Sequence, residues 1–152
     1  MKTIGLDAST TTVGYAFVED KKILDVGFIP IHKESTIRDK VKTTMDAVTA
    51  LDPFEDVDKI YIEDSLSGFS RGRTSQQTII KLAKFNAVLT YCLEFAYGEI
   101  VEGINPMTAR KNLFGKARVK GVSAKDFVKK EINCLYSLDE YVKLTPTGLW
   151  DK

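Results

Sequence analysis

Three features of the chain predict an α/β domain in which a mixed sheet is flanked by helices. The first 31 residues alternate apolar and polar side chains in three short runs, the pattern of an antiparallel meander. Two later stretches repeat apolar residues at helical spacing. Short apolar strands separate the helices, so the order reads β-β-β-α-β-α-β-α-α.

Residues 2–7 form the first strand. "TVGYAFVED" sets Val13, Tyr15 and Phe17 against Gly14, Ala16 and Val18 as a second, and "KKILDVGFIPI" is a third, with "EDKK" as the hairpin turn. From Ser35 to Leu51, Ile37, Val41, Met45 and Val48 recur every three or four residues as one face of a helix. "LDPFEDVD" breaks it, "KIYIED" is a buried strand, and "SLSGFSRGRTS" is a polar loop. Gln76 to Tyr97 is a helix of about 33 Å at 1.5 Å per residue. It is apolar over most of its circumference, which suits burial by its own core on one side and by a partner on the other. "GEIVEGINP" supplies a last strand. Pro106 then suits the first turn of a short helix over Met107–Leu113, "FGKARVKG" is a basic loop, and Ser123 caps a final helix, "SAKDFVKKEINCLY".

With 152 residues the chain is one domain in length and can bury a proper core. No apolar run approaches the ~20 residues of a membrane span, and "MKTIGLDAST" has no signal-peptide pattern. Cys92 and Cys134 have no metal spacing and read as buried free thiols of a reducing compartment. His32 has no partner in a recognisable arrangement and reads as a surface residue. Phosphate-loop, dinucleotide and serine-hydrolase motifs are absent. The net charge of +1 conceals an uneven distribution. From Ile104 to Ile132 eight basic residues face only Asp126 and Glu131, whereas Ala16 to Lys59 holds ten acids and seven bases. Such asymmetry fits a face shown to a polyanion, and equally a solvated helix surface.

Asp7 ends the first strand and Glu63 the fourth. Sites in α/β sheets form at the carboxyl ends of strands. If these two strands are parallel neighbours, the carboxylates meet. They then need a shared proton or a hard cation with oxygen ligands, and Mg²⁺ suits such a pair. A single Asp at a strand end is more often a turn former. The hydroxyls of Ser9, Thr10, Thr11 and Thr12 either touch phosphate or only stabilise the turn.

"IGLDASTTTVGYAFVE", "IYIEDSL", "KLAKFNAVLTYCLE" and "NPMTARKNLFGKARVKGVSAKDFVKKEI" occur in the order of, and together resemble, the RuvC-type Holliday junction resolvases of the ribonuclease H-like superfamily. The resemblance covers nearly the whole chain. It implies a ribonuclease H-like fold with three antiparallel strands followed by two parallel ones. It also implies a bacterial or phage-infected cytoplasm, and a homodimer through the 76–97 helix. The implied activity is Mg²⁺-dependent incision of four-way DNA junctions by paired symmetric nicks, with Mn²⁺ able to substitute.

On this resemblance Asp7 and Glu63 are catalytic metal ligands. Phe69, Arg71, Arg73, Arg110, Lys111, Lys116, Arg118, Lys120 and Lys125 bind DNA, so binding should weaken steeply with salt. The family's stacking aromatic aligns with Leu66 here, which leaves Phe69 as the candidate. The family's closing pair of aspartates falls beyond "TPTGLWDK", with Asp151 as a stand-in and Asp139 or Glu140 as poorer ones. The expectation is a single nuclease domain, residues 1–152, without its last helix. Two rivals share these residues: a non-catalytic protein binding branched DNA, and a fragment of an actin- or sugar-kinase-type ATPase.

Overall fold

A computed structural model describes residues 1–51, 56–64, 75–136, 143–144 and 150–151. Strands β1 (Lys2–Ala8), β2 (Thr12–Glu19) and β3 (Lys22–Pro30) form the antiparallel meander. Asp20 and Lys21 both take positive φ, 46° and 68°, the backbone twist that joins β2 to β3 through a two-residue turn. Helix α1 (Ile37–Leu51) leads to β4 (Lys59–Glu63), and α2 (Gln76–Tyr97) leads to β5 (Val101–Ile104). Helices α3 (Pro106–Phe114) and α4 (Ala124–Tyr136) follow. A two-residue pair, β6 (Lys143–Leu144) with β7 (Trp150–Asp151), lies near the end of the chain and was not anticipated.

The five-stranded sheet has the order β3-β2-β1-β4-β5, with β1, β4 and β5 mutually parallel. This is the predicted three antiparallel strands followed by two parallel ones. Alternation sorts the side chains into two faces. Ile4, Leu6, Val13, Ile29, Ile60 and Ile62 point to one face, where Val41 and Val48 of α1 and Phe85, Leu89 and Leu93 of α2 complete a single core. Gly5, Asp7, Tyr61 and Glu63 fall in the opposite phase. On that second face Ile132 and Tyr136 of α4 pack with Ile23 and Val26 of β3.

Helix starts follow local chemistry. Thr36 Oγ1 accepts from the Asp39 amide at 3.1 Å, so α1 begins at Ile37, two residues inside the expected Ser35. Ser75, Asn105 and Ser123 cap the next three helices in the same manner, with Pro106 in the first turn of α3. The last sheet strand is shorter than the stretch that predicted it. Gly98, at φ 69°, ends α2 by donating its amide to the Glu94 carbonyl, and residues 98–100 make a 3-10 turn before the chain joins the sheet. The two cysteines are free, as expected. The burial expectation needs correcting: Cys92 is only half-buried and Cys134, on the outer side of α4, is exposed.

Candidate active site

The β1–β4 register pairs Leu6 with Ile62, which places Asp7 and Glu63 next, side by side at the carboxyl ends of two parallel strands. Adjacent strands lie about 4.8 Å apart. The two carboxyls are within hydrogen-bonding reach of each other. They open into a cleft of about 810 Å³ between the second sheet face and helices α3 and α4. The floor is built from small residues: Gly14 is paired with Asp7 and Ala16 with Gly5. The opposite wall carries Arg110 from α3 and Lys125 and Lys129 from α4.

Glu63 is half-buried, and burial pushes its carboxyl up from 4.5 to about 7. The Asp7 carboxylate adds to the rise through charge and a hydrogen bond, and the Arg110 guanidinium opposes it. Two oxygen-only side chains that cannot both ionise comfortably are short of positive charge. That donor set fits a hard dication, with water and phosphate completing its shell. Among the described residues no group of three or more His, Cys, Asp or Glu forms a metal cluster. The two described carboxylates can hold such an ion between them.

The pH dependence follows. Between pH 4.5 and about 7 the folded chain keeps a proton on Glu63 that the unfolded chain has released. The stability linked to that proton is complete below pH 4.5 and is lost as pH rises through about 7. In chelator, the melting temperature of the chain should fall across this window. Glu63→Gln, which cannot titrate, should show a flatter profile and melt higher than the parent at pH 8. Parallel profiles in differential scanning fluorimetry would clear Glu63 of this role.

The loop after β1 is a built turn. Ser9 Oγ accepts from the Thr12 amide at 3.0 Å and donates to the Thr12 carbonyl at 2.7 Å. Lys40 Nζ reaches the Thr10 and Ile31 carbonyls at 2.5 and 2.9 Å and ties the loop to α1. The Ser9 hydroxyl is thus committed to the turn, which favours that one of the two readings for it.

Of the expected DNA contacts, Arg110 and Lys125 line the cleft. Arg110 also donates to the Ala117 carbonyl at 3.3 Å, which anchors the chain leaving α3. Lys111, Lys116, Arg118 and Lys120 are exposed outside the cleft lining, on α3 and the α3–α4 connection. Lys116 Nζ stands 5.6 Å from the centre of the Phe127 ring, which meets Phe114 edge-on at 5.4 Å. Phe69, Arg71 and Arg73 lie outside the described residues, as do Leu66, Asp139 and Glu140. For Asp151 only the backbone is described, paired with Lys143.

Sequence reasoning counted Lys129 in the basic tract without placing it at the site, and passed over Asn86 and Tyr61, which lines the cleft. Lys129 lies one turn beyond Lys125, and that four-residue spacing was the available signal. Asn86 Nδ2 donates to the Glu63 carbonyl at 2.9 Å, a contact with no signature in the sequence.

No family model matches the chain. The crossover junction endodeoxyribonuclease RuvC of Campylobacter concisus is 27% identical over 134 residues, covering 86% of this chain and 81% of that protein. Among solved structures, Thermus thermophilus RuvC superposes with a TM-score of 0.65 at 18% identity, covering 98% of this chain and 87% of that one. T. thermophilus RuvC in complex with a Holliday junction substrate gives 0.60 at 16% identity, over 77% and 73% of the two chains. These similarities bear out the resemblance carried by the motifs, and the fold is ribonuclease H-like.

Proposed function

We propose that the chain is a divalent-metal-dependent endonuclease that resolves four-way DNA junctions by paired symmetric nicks. The observation that carries this is the meeting of Asp7 and Glu63 in a cleft whose far wall is cationic. The relatives' names and the junction-bound neighbour supply the substrate class. Mg²⁺ is the ion favoured by an all-oxygen pair of carboxylates, with Mn²⁺ as a substitute. Bound there, it would polarise the scissile phosphodiester and offset the charge that grows on it.

The chain's own groups have separate tasks. Asp7, at the exposed strand end, and Glu63, half-buried beside it, hold the ion. Arg110 stands close enough to Glu63 to favour its ionised form, and so keeps the carboxylate ready for a cation. Lys125 and Lys129 face the carboxylates across the cleft and hold the backbone phosphates of the strand to be cut. Lys111, Lys116, Arg118 and Lys120 extend this cationic surface beyond the cleft. Phe69, Arg71, Arg73 and Asp151 remain candidates on the resemblance alone.

The active unit is a homodimer. Paired cuts on opposing strands need two sites related by a two-fold axis. Helix α2 offers the contact, since its face away from the core exposes Ile80, Val88, Tyr91 and Phe95. Among the described residues no helix is long and apolar enough to cross a membrane.

The test is incubation with an end-labelled four-way junction and Mg²⁺. Two symmetric nicks with religatable 5′-phosphate and 3′-hydroxyl ends are expected. Junction binding with no cut at any Mg²⁺ or Mn²⁺ concentration would leave the non-catalytic rival. Tight nucleotide binding in the absence of DNA would favour the ATPase rival.

A further inference from the structure

Asn86 lies in the layer of α2 that packs on the sheet, with 8% of its surface exposed. The neighbours on that helix face, Phe85, Leu89 and Leu93, are apolar and buried. Asn86 alone brings a polar group into the layer. Its Nδ2 donates to the main-chain oxygen of Glu63 at 2.9 Å. Its Oδ1 is buried and has no hydrogen-bond partner among the described residues. A carboxamide with one half satisfied and the other orphaned costs the fold desolvation that a leucine in the same place would avoid.

The location explains what is gained. The pairing of β4 with β1 ends at Leu6 and Ile62, one residue short of Glu63. On the other side the Asp64 amide still bonds to the Ile104 carbonyl at 3.0 Å. The Glu63 carbonyl is thus at the point where the ladder lets the strand go, and Asn86 takes it. Glu63 sends its carboxyl to the cleft on one sheet face, and α2 grips its backbone from the other.

We infer that Asn86 is a positioning residue. Its amide fixes the last residue of β4 so that the Glu63 carboxylate stands beside Asp7, and the orphaned oxygen is retained because the donor is needed. This rests on the reading that Glu63 binds a divalent ion. Groups that orient a metal ligand from behind are worth about 10–100-fold in metal affinity or activity. A group kept for that purpose predicts that function falls without a matching fall in stability.

Two variants separate this from a purely structural role. Asn86→Leu keeps the branching and the number of heavy atoms, removes the orphaned oxygen, and leaves the Glu63 carbonyl without its donor. Asn86→His overfills the site but restores a donor, since Nδ1 stands at the same bond distance from Cα as the amide nitrogen. The measurements are melting temperature in chelator, Mn²⁺ affinity by isothermal titration with the metal alone, and junction incision rate. Asn86→Leu exchanges one unpaired oxygen for another and should melt close to the parent, yet bind Mn²⁺ about 10-fold more weakly and incise at least about 10-fold more slowly. Asn86→His should melt below Asn86→Leu yet bind Mn²⁺ more tightly than it.

The inference is overturned if Asn86→Leu binds Mn²⁺ as the parent does, or if Mn²⁺ affinity simply follows melting temperature. It is equally overturned if Asn86→Leu has no cooperative melt, because Asn86 is then a folding requirement. A parent that binds Mn²⁺ but cuts no junction counts against the nuclease reading alone, since the titration reports on Asn86 without incision. A parent that binds no Mn²⁺ defeats both.

Discussion

Glu63→Gln should cut a four-way junction at least about 10³-fold more slowly than the parent in saturating Mg²⁺, while binding it as tightly or more tightly. The two effects separate because Glu63 shares its cleft with the cations proposed to grip DNA. Removing its negative charge leaves Arg110, Lys125 and Lys129 in place and takes away repulsion toward phosphate. What is lost is the half-buried carboxylate that, with Asp7, makes a dication preferable to a shared proton. Gln has nearly the same volume and keeps one carbonyl oxygen as a ligand. It cannot carry charge, so Mg²⁺ must compete with water for a neutral amide. Asp7→Asn should behave alike, and the double variant should be little worse than either single one, because residues acting as one unit are non-additive. Gel-shift titration in Ca²⁺ and single-turnover incision in Mg²⁺ make the comparison. Equal incision by Glu63→Gln and the parent would remove the paired-carboxylate mechanism. Equal loss of binding and incision would make Glu63 a DNA-contact or folding residue instead.

The pairing of Asp7 with Glu63 was legible because strand phase carries it. In "TIGLDA" and "KIYIED" the apolar residues fix which side chains face the core, and the acid follows at the strand end in both. What the pattern left open was whether the strands were neighbours, and the parallel register settles that. The basic tract was legible in amount and less so in direction. Arg110 and Lys125 are on helices whose apolar residues orient them, whereas Lys116, Arg118 and Lys120 sit on a connection without periodicity, between the helices that the Phe114–Phe127 contact joins. Asn86 was invisible for a different reason. Inside "KLAKFNAVLTY" a single amide reads as an interruption of an apolar face, and its bond to the Glu63 carbonyl joins residues 23 apart in sequence. The turn at Gly98 was read as part of a strand because "GEIVEGI" has the composition of one. The positive φ of a glycine ending a helix overrides that propensity.

Tyr91→Glu combined with Phe95→Glu should convert the chain from dimer to monomer without unfolding it. At 100° per residue, Ile80, Val88, Tyr91 and Phe95 occupy about 80° of arc on α2, and the buried Phe85, Asn86, Leu89 and Leu93 lie on the opposite side. Phe95 is 84% exposed and Tyr91 67%, values for large aromatics on one stripe that suit a surface covered by a partner. Lys84 interrupts the stripe, and its aliphatic stem can lie along an apolar contact while the ammonium reaches the edge. In the proposed homodimer a two-fold axis beside α2 would bring each stripe onto its copy, so every substitution would act twice. Losing an aromatic anchor and burying a charge costs roughly 2 kcal/mol or more per site, and the double variant should raise the dimer dissociation constant by at least about 10³-fold. Sedimentation velocity over a range of concentrations reads this directly, and circular dichroism should show an unchanged helix content. The cleft is walled by α3 and α4 on the other sheet face, so each monomer keeps its carboxylates and its cations. The functional consequence is then specific. On a plasmid bearing an extruded cruciform, the parent makes both cuts in one encounter and yields linear product, whereas the monomer makes one cut and yields nicked circles. A parent that sediments as a monomer at every concentration, or a double variant that still yields linear plasmid, would show that α2 does not join the two sites.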